Sequence, residues 1–338
     1  MIDPKDMEHC REAIRHGSLS FHAASKLLPS RVRDPALALY AFCRLADDEV
    51  DLSHRKAAAV EQLQDRLERV YAGRPRDAAP DRAFAAVVEM FGMPRALPDA
   101  LLEGLAWDAE VRTYQDMSGV RDYSARVASA VGVMMCVLMG VRDRNALARA
   151  ADLGVAMQLT NIARDVGEDA LEGRLYLPLD WLERSGIDAE AFMAKPRATK
   201  AIRAMVRQFL IEADRLYARS EAGISALPVS CRPGIFAARF IYAGIGTKLR
   251  GMGHNSIDAR AFTTKGQKAG LAGLSLFRSG MSLVMPQSPV IYAKPLPETA
   301  FLVDAAAHDE PSHWSDAVTG ALTRLAETDR GRLARPTR

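Results

Sequence analysis

Two acidic clusters lie far apart in the chain, each inside a segment that is otherwise strongly apolar. The first spans residues 47–51 (DDEVD) and the second spans residues 165–169 (DVGED). Each places two aspartates four positions apart, so both carboxylates project from one face of a helix. Two such faces brought together in a core are tolerable only where cations lie between them. The clusters therefore predict a magnesium site for a polyanionic substrate.

The composition fits a large folded core that needs no disulfides. The chain has 338 residues, of which 49% are hydrophobic. The formal net charge of +3 suits anionic ligands or lipid headgroups. No basic stripe interleaved with aromatic residues indicates nucleic-acid binding. Four widely spaced cysteines form no zinc motif, which predicts reduced thiols in a cytoplasmic protein; they are Cys10, Cys43, Cys136 and Cys231.

Membrane association is expected to be peripheral at most. The N-terminal segment lacks the basic-then-apolar profile of a signal peptide. The longest apolar run, residues 127–139, is shorter than the roughly 20 residues that span a bilayer.

Prolines at helix starts and glycines at helix ends divide the chain into helical segments. Few segments alternate apolar and polar residues as strands do, so we predict an all-α fold. A single helical domain is expected over residues 1–285. The predicted helices lie near residues 4–16, 19–28, 35–53, 56–72, 81–91, 98–114, 120–139, 143–171, 178–185, 198–226, 233–251 and 256–280.

From residue 286 onward, prolines interrupt the helical period. Residues 286–338 are therefore predicted to form a loosely packed tail, with a short amphipathic helix near 313–328. The last segment, 330–338, is basic and could touch an anionic membrane surface, although a solvated terminus is the more common outcome.

Helical spacing extends each acidic cluster into a polar stripe. The first stripe comprises Tyr40, Arg44, Asp47 and Asp51. The second comprises Gln158, Asn161, Asp165 and either Glu168 or Asp169. Either stripe alone could simply face water. The pair favours a diphosphate held by metal, because an arginine accompanies each cluster and magnesium prefers oxygen ligands.

Other phosphate and metal motifs are excluded by their spacing. An EF-hand starting at Asp47 would need glycine at its sixth position and glutamate at its twelfth, where the chain has Leu52 and Ala58. A Walker loop and a dinucleotide glycine fingerprint are also absent from the sequence. These absences argue against ATP hydrolysis and against a tightly bound nicotinamide cofactor.

Three sequence blocks stand out beside the acidic clusters. They are residues 17–29 (GSLSF followed by LLP), 40–51 (YAFCR followed by DDEVD) and 158–178 (QLTNIARDVGEDALEGRLYLP). Together they resemble the squalene/phytoene synthase family of head-to-head prenyl synthases. The likeness extends over roughly residues 15–280. It implies an isoprenoid synthase fold, in which the two acidic helices face each other across the mouth of a central apolar channel.

The resemblance also implies a reaction. Two geranylgeranyl diphosphates would condense through a cyclopropyl intermediate to phytoene, releasing two diphosphates, in carotenoid biosynthesis. A nicotinamide cofactor would not be needed, and a carotenoid desaturase would receive the product. Formation of squalene, hydroxysqualene or dehydrosqualene from farnesyl diphosphate is the nearest alternative. A noncatalytic prenyl-lipid-binding relative is the alternative from another class.

The family's functional residues map onto this chain by motif. Magnesium, with Mn²⁺ as its substitute, would be bound by Asp47, Asp51, Asn161, Asp165 and Asp169. Substrate contacts would come from Ser18, Ser20, Phe21, Tyr40, Arg44, Gln158, Asn161, Arg164 and Lys248. The catalytic set would be Asp47, Asp51, Asp165, Asp169, Arg44 and Tyr242. Tyr242 would lie over the diphosphate and serve proton transfer, with a buried structural tyrosine as the alternative.

Residues 127–135 (VASAVGVMM) combine small side chains with methionines and are expected to line the isoprenoid channel. Ordinary close helix packing is the alternative. Two positions nearby depart from the family pattern. Arg126 stands where many relatives have tyrosine or histidine, and Ser129 stands where glycine is common. The family's aromatic contact near the reacting carbons is therefore either absent or supplied elsewhere.

Overall fold

The computed structural model describes residues 2–17, 19–52 and 56–307. In these ranges the secondary structure is helical and no strand forms, which confirms the predicted all-α class. The helices are α1 (Pro4–Gly17), α2 (Leu19–Ser25), α3 (Ser30–Leu52), α4 (Lys56–Tyr71), α5 (Ala79–Phe91), α6 (Ala96–Ala109), α7 (Met117–Ser124), α8 (Ala130–Leu138), α9 (Arg144–Leu171), α10 (Leu179–Arg184), α11 (Ala189–Ala194), α12 (Lys200–Ile224), α13 (Arg232–Gly251), α14 (Lys265–Met281) and α15 (Ala300–Ala306). A π-helical turn covers Ala125–Ser129, and 3₁₀ turns cover Pro289–Tyr292 and Pro297–Thr299.

Helix α9 is the 28-residue centre of the fold. Its first turn is capped by Asp143, whose carboxylate accepts a hydrogen bond from the Ala146 amide at 2.8 Å. The helix packs against α12, α13, α8, α15 and α7. Its N-terminal half belongs to one apolar cluster with α3, α5 and α8, and its C-terminal half belongs to another with α12. α9 therefore joins the two clusters into one core.

A close approach brings the π-helical turn directly against α9. A Cβ added at Gly154 would lie 2.5 Å from the Cα atom of Ser129, so only glycine fits there. The Ser129 hydroxyl donates to the Ala151 carbonyl oxygen at 2.7 Å. The π turn also divides the helix predicted over 120–139 into α7 and α8. Ser129 is thus a packing residue of this interface.

Two predicted helix starts are wrong. α3 begins at Ser30 and contains Pro35. The helix tolerates this proline because, so near the N-terminus, it removes only one helical hydrogen bond. The helix predicted over 256–280 begins at Lys265. Thr264 caps it reciprocally with Gln267, through N–H···O bonds of 3.2 Å and 2.9 Å. Residues 252–264 form a connecting loop instead, and this loop runs past α9.

The segment from 286 to 307 is folded against the body of the protein rather than loosely packed. Ile291, Leu296 and Leu302 are buried, and α15 packs against α6, α8 and α9. These three apolar side chains explain the packing, because burying them on the helical core is favourable. Residues 308–338, with the helix predicted near 313–328, lie outside the described ranges. Within the described ranges no helix is long and apolar enough to cross a membrane.

Candidate active site

An apolar cavity of about 300 Å³ lies between α2, α3, α9, α12, α13 and the segment from the π turn into α8. Its lining includes Phe21, Ser25, Leu39, Tyr40, Val127, Ala128, Val131, Gly132, Met135, Ala146, Ala150, Gly154, Met157, Gln158, Asn161 and Tyr242. The α9 part of the wall runs from Asn161 to Ala146, which corresponds to about 22 Å at 1.5 Å per residue. The cavity can therefore hold a long apolar chain.

A polar cavity of about 380 Å³ adjoins the apolar one. Its lining comprises Ser20, Asn161, Arg164, Tyr242, Ile245, Arg260, Ala261, Phe262, Thr263 and Lys268. Asn161 and Tyr242 line both cavities, so the two spaces meet at these side chains. Two guanidinium groups and one ammonium group surround the polar space. An elongated ligand with an apolar chain and an anionic head matches this arrangement.

Asp165 is clamped by two arginines at the edge of the polar cavity. Its Oδ1 atom accepts hydrogen bonds from the Nε atoms of Arg164 and Arg260, each at 2.8 Å. The Asp165 side chain is only 13% exposed. Arg260 also reaches Glu168, with an N···O distance of 3.1 Å. The Oδ2 atom of Asp165 accepts from the terminal nitrogens of the same two arginines, with a distance of 3.2 Å to Arg260. A carboxylate has about four acceptor positions, so the two arginines occupy all of them and a metal ion would have to displace one of these bonds.

Gly167 explains how Arg260 reaches Asp165. The loop 252–264 lies directly on α9 at this glycine, whose amide donates to the Ser256 carbonyl oxygen at 3.2 Å. A Cβ added at Gly167 would lie 2.8 Å from the Cα atom of Ile257. The glycine between the two aspartates of the second cluster is therefore needed for close approach of the loop backbone.

The oxygen groups near Asp165 suit a hard divalent cation. Burial, with a further contribution from the Asp165 charge, raises the pKa of Asp169 to about 8. The amide nitrogen of Asn161 donates to Gln158 at 3.3 Å, whereas its buried Oδ1 atom accepts no hydrogen bond from the described residues. A buried carboxyl group and a buried carbonyl oxygen without a hydrogen-bond donor are oxygen groups that Mg²⁺ would satisfy.

The first acidic cluster is only partly described. Its backbone is the C-terminal end of α3, where Asp47 and Asp51 lie, but their side chains are outside the described part. Among the side chains that are described, no three acidic, histidine or cysteine groups form a metal cluster. The complete ligand set predicted from the sequence thus remains a prediction.

The predicted substrate-binding residues divide into three groups. Lining the cavities are Ser20, Phe21, Tyr40, Gln158, Asn161, Arg164 and Tyr242. Phe21 stacks on Tyr40 with ring centroids 5.6 Å apart. Arg44 and Lys248 are exposed and line neither cavity. Ser18 lies outside the described residues.

Arg260 and Lys268 are site residues that the sequence analysis missed. Both line the polar cavity, and burial lowers the pKa of Lys268. The signal was the T-x-x-Q capping signature at Thr264, which marks the true start of α14 and leaves Arg260 in a loop.

Arg126 points away from the apolar cavity. Its Nε atom lies 2.9 Å from Glu103, and its guanidinium carbon lies 4.3 Å from the centroid of the Trp107 ring. The residue that departs from the family pattern therefore holds the π turn against α6. It is absent from the cavity wall, where Val127 and Ala128 take part instead.

A long apolar cavity that ends at oxygen and guanidinium groups is the binding site of an all-α protein whose ligand has an apolar chain and an anionic head. The sequence model described as squalene/phytoene synthase matches residues 14–267, and the chain belongs to that family.

Two relatives and one solved structure illustrate the family match. The phytoene synthase of Cereibacter sphaeroides is 58% identical over 341 residues, covering 98% of this chain and 96% of that protein. The phytoene synthase of Rhodobacter capsulatus is 59% identical over 335 residues, covering 98% and 99%. A crystal structure of a dehydrosqualene synthase in complex with ligand superposes with a TM-score of 0.76 at 30% identity, covering 82% of this chain and 97% of that one.

Proposed function

We propose that the protein condenses two geranylgeranyl diphosphates head to head into phytoene and releases two diphosphates, as a prenyltransferase of carotenoid biosynthesis. The observation that carries this proposal is the junction at Asn161 and Tyr242 of a long apolar cavity with a cationic polar one. High identity to proteins named phytoene synthase supports phytoene as the product.

The polar cavity would bind the diphosphate and favour its departure. Arg164, Arg260 and Lys268 surround this space, and their charges would offset the negative charge that grows on the leaving oxygen. Magnesium, held by Asn161, Asp165 and Asp169 together with Asp47 and Asp51, would supply Lewis-acid stabilisation of the leaving group. Arg260 would act both on the diphosphate and on the position of Asp165.

The apolar cavity would protect the reacting carbons. When the C–O bond of one substrate breaks, its electron pair leaves with the diphosphate and an allylic cation remains. The double bond of the second substrate attacks this cation, and loss of a proton completes the cyclopropyl ring. Water would quench the cation, which the apolar walls prevent. Tyr242 lines both cavities and would pass that proton toward the diphosphate side.

Gly167→Ala is expected to displace loop 252–264 and to lower turnover by about 100-fold, since a shift of roughly 1 Å in a catalytic group has that effect. The reason is the 2.8 Å approach of the added Cβ to Ile257. Gly273→Ala on α14 is the matched control, because its added Cβ meets nothing within 4 Å. Steady-state phytoene formation by both variants gives the comparison. Equal turnover in the two would refute the role of the loop.

Ala150→Phe tests the apolar cavity as the site of the prenyl chain. Ala150 lies on the α9 wall, 11 residues before Asn161 or about 16 Å along the helix. A phenyl group there would block the part of the cavity remote from the diphosphate. We expect the ratio of kcat/KM for geranylgeranyl diphosphate to that for farnesyl diphosphate to fall at least about tenfold. An unchanged ratio would place the chain elsewhere.

The product decides between the proposed reaction and its nearest alternatives. Purified protein is incubated with Mg²⁺ and either geranylgeranyl or farnesyl diphosphate, with and without NADPH, and the hydrocarbon is identified by mass spectrometry. We expect phytoene from geranylgeranyl diphosphate without NADPH. If products form from farnesyl diphosphate but not from geranylgeranyl diphosphate, the reaction is squalene-type synthesis and not phytoene synthesis. Absence of any diphosphate release would indicate a noncatalytic binding protein.

The cellular setting follows from the product. A hydrocarbon of this size is insoluble in water, so we infer action at the cytoplasmic face of a membrane and delivery to a carotenoid desaturase. A nucleic-acid partner has no place in this function.

A further inference from the structure

The outer face of α14 and the turn after it is apolar and exposed. It consists of Leu274, Phe277, Met281 and Val284, which are 42%, 64%, 37% and 78% exposed. Their spacing of three, four and three residues is that of a single helix face. We use the name outer face for these four side chains.

Exposed apolar side chains are concentrated around this face. Of the 16 large apolar side chains that are exposed in the described ranges, ten lie between residues 262 and 292. Those ten are Phe262, Leu274, Leu276, Phe277, Met281, Leu283, Val284, Met285, Val290 and Tyr292. Scattered exposed apolar residues need no explanation, whereas a contiguous group indicates an interaction surface.

Helix α14 turns small polar side chains toward the protein and exposes most of its large apolar ones, the opposite of a usual amphipathic helix. The face it turns toward the protein carries the small polar residues Ser275 and Ser279, which are 0% and 6% exposed. Ser275 satisfies its hydroxyl on its own helix, donating to the Ala272 carbonyl oxygen at 2.6 Å. Leu271 packs against the apolar core, whereas the other larger apolar side chains of the helix are exposed, namely Leu274, Leu276, Phe277 and Met281. A helix in water normally buries its apolar face, so this distribution fits an apolar environment outside the protein.

The positive charge of residues 259–297 indicates that the apolar environment is an anionic membrane. No aspartate or glutamate occurs from residue 259 to residue 297, whereas this stretch contains five basic residues. They are Arg260, Lys265, Lys268, Arg278 and Lys294. Arg260 and Arg278 form ion pairs with Asp165 and Glu221, which lie on other helices. The lysines of the stretch would attract anionic lipid headgroups, and their like charges disfavour pairing of this surface between two copies of the chain.

The helix that carries the outer face also borders the polar cavity through Lys268. Phe262 lines the polar cavity and is 67% exposed, and Lys268 lines it from the first turn of α14. We propose that the outer face of α14 docks on an anionic lipid bilayer, with its apolar side chains inserted among the lipid chains. Substrate and product would then pass between bilayer and cavity without crossing water. That last consequence rests on the proposed function, whereas the docking itself does not.

The test measures vesicle binding by the full chain. Phe277→Gln/Val284→Gln removes two side chains of the outer face. Met90→Gln/Ile211→Gln is the control and removes two exposed apolar side chains from α5 and α12, which are 44% and 49% exposed. Sedimentation is measured with phosphatidylcholine vesicles that contain or lack phosphatidylglycerol. We expect the parent chain to bind the phosphatidylglycerol vesicles, the first double variant to partition at least about tenfold less, and the second to match the parent.

Three results would overturn the proposal. The first is equal partitioning of the two double variants. The second is binding of the parent chain that does not depend on phosphatidylglycerol. The third is a parent chain that binds no vesicles but forms dimers in sedimentation velocity, with the dimers lost only in the outer-face variant. Melting temperatures equal to that of the parent establish that both variants fold. Phytoene formation from detergent-solubilised substrate is measured separately. Its absence together with intact vesicle binding would count against the proposed reaction alone.

Discussion

Asp165→Asn is expected to reduce magnesium-dependent turnover by about a thousandfold while leaving the fold intact. Asp165 is the carboxylate on which Arg164 and Arg260 converge, and it lies one helical turn before Asp169. Asparagine has the same shape but carries no charge, so it would weaken both the arginine clamp and the proposed metal site. Diphosphate release measured against Mg²⁺ concentration gives the loss of turnover and any rise in the metal requirement.

Asp304→Asn is the matched control for this substitution. Asp304 also pairs with an arginine, Arg144, but its side chain is 60% exposed and lies on α15. Its loss should leave turnover within about twofold of the parent, because exposed ion pairs contribute little. Circular dichroism melting establishes that both variants are folded. Near-normal turnover by Asp165→Asn would contradict the assignment of metal binding to the second acidic cluster.

Arg149→Met is expected to lower the free energy of unfolding by about 3–5 kcal/mol, the usual effect of breaking a buried ion pair. Arg149 and Asp152 are both fully buried, with an N···O distance of 2.9 Å. Arg149 also donates to the Val290 carbonyl oxygen at 2.7 Å, which fixes the segment after α14 to α9. Methionine keeps the apolar stem and leaves Asp152 with Arg219 as its remaining cationic partner.

Urea unfolding of Arg149→Met and of Arg144→Met separates burial from charge. Arg144 is 52% exposed in its pair with Asp304, so its replacement should leave the unfolding midpoint nearly unchanged. The same unfolding midpoint for both variants would show that the buried ion pair contributes no more to stability than the surface ion pair. A large shift for Arg149→Met alone would confirm that this network holds residues 289–296 in place.

The residues of α9 show what helical periodicity can predict. Spacing alone aligned Gln158, Asn161 and Asp165, and the structure places Gln158 and Asn161 on the cavity wall with Asp165 clamped at its edge. The sequence blocks in the same helix carried the family assignment, which the comparisons confirm. Local pattern was sufficient here because one rigid helix carries all of these positions.

The contact between Arg260 and Asp165 is one that helical periodicity could not predict. The two residues are 95 positions apart, and their pairing depends on a loop that was mistaken for the start of a helix. Gly167 permits the contact through the space it leaves, and the sequence gives no sign of which backbone fills that space. The packing of residues 289–306 was missed for the same reason, since prolines indicate a break in helical period but not the surface that receives the chain.

The most direct test of the central claim is the stoichiometry of a single reaction mixture. Diphosphate released and phytoene formed from geranylgeranyl diphosphate are quantified together, with Mg²⁺ and after chelation with EDTA. The proposed function predicts two diphosphates for each phytoene with Mg²⁺, and neither product after chelation. Phytoene formation that persists in EDTA, or diphosphate release without phytoene, would contradict it.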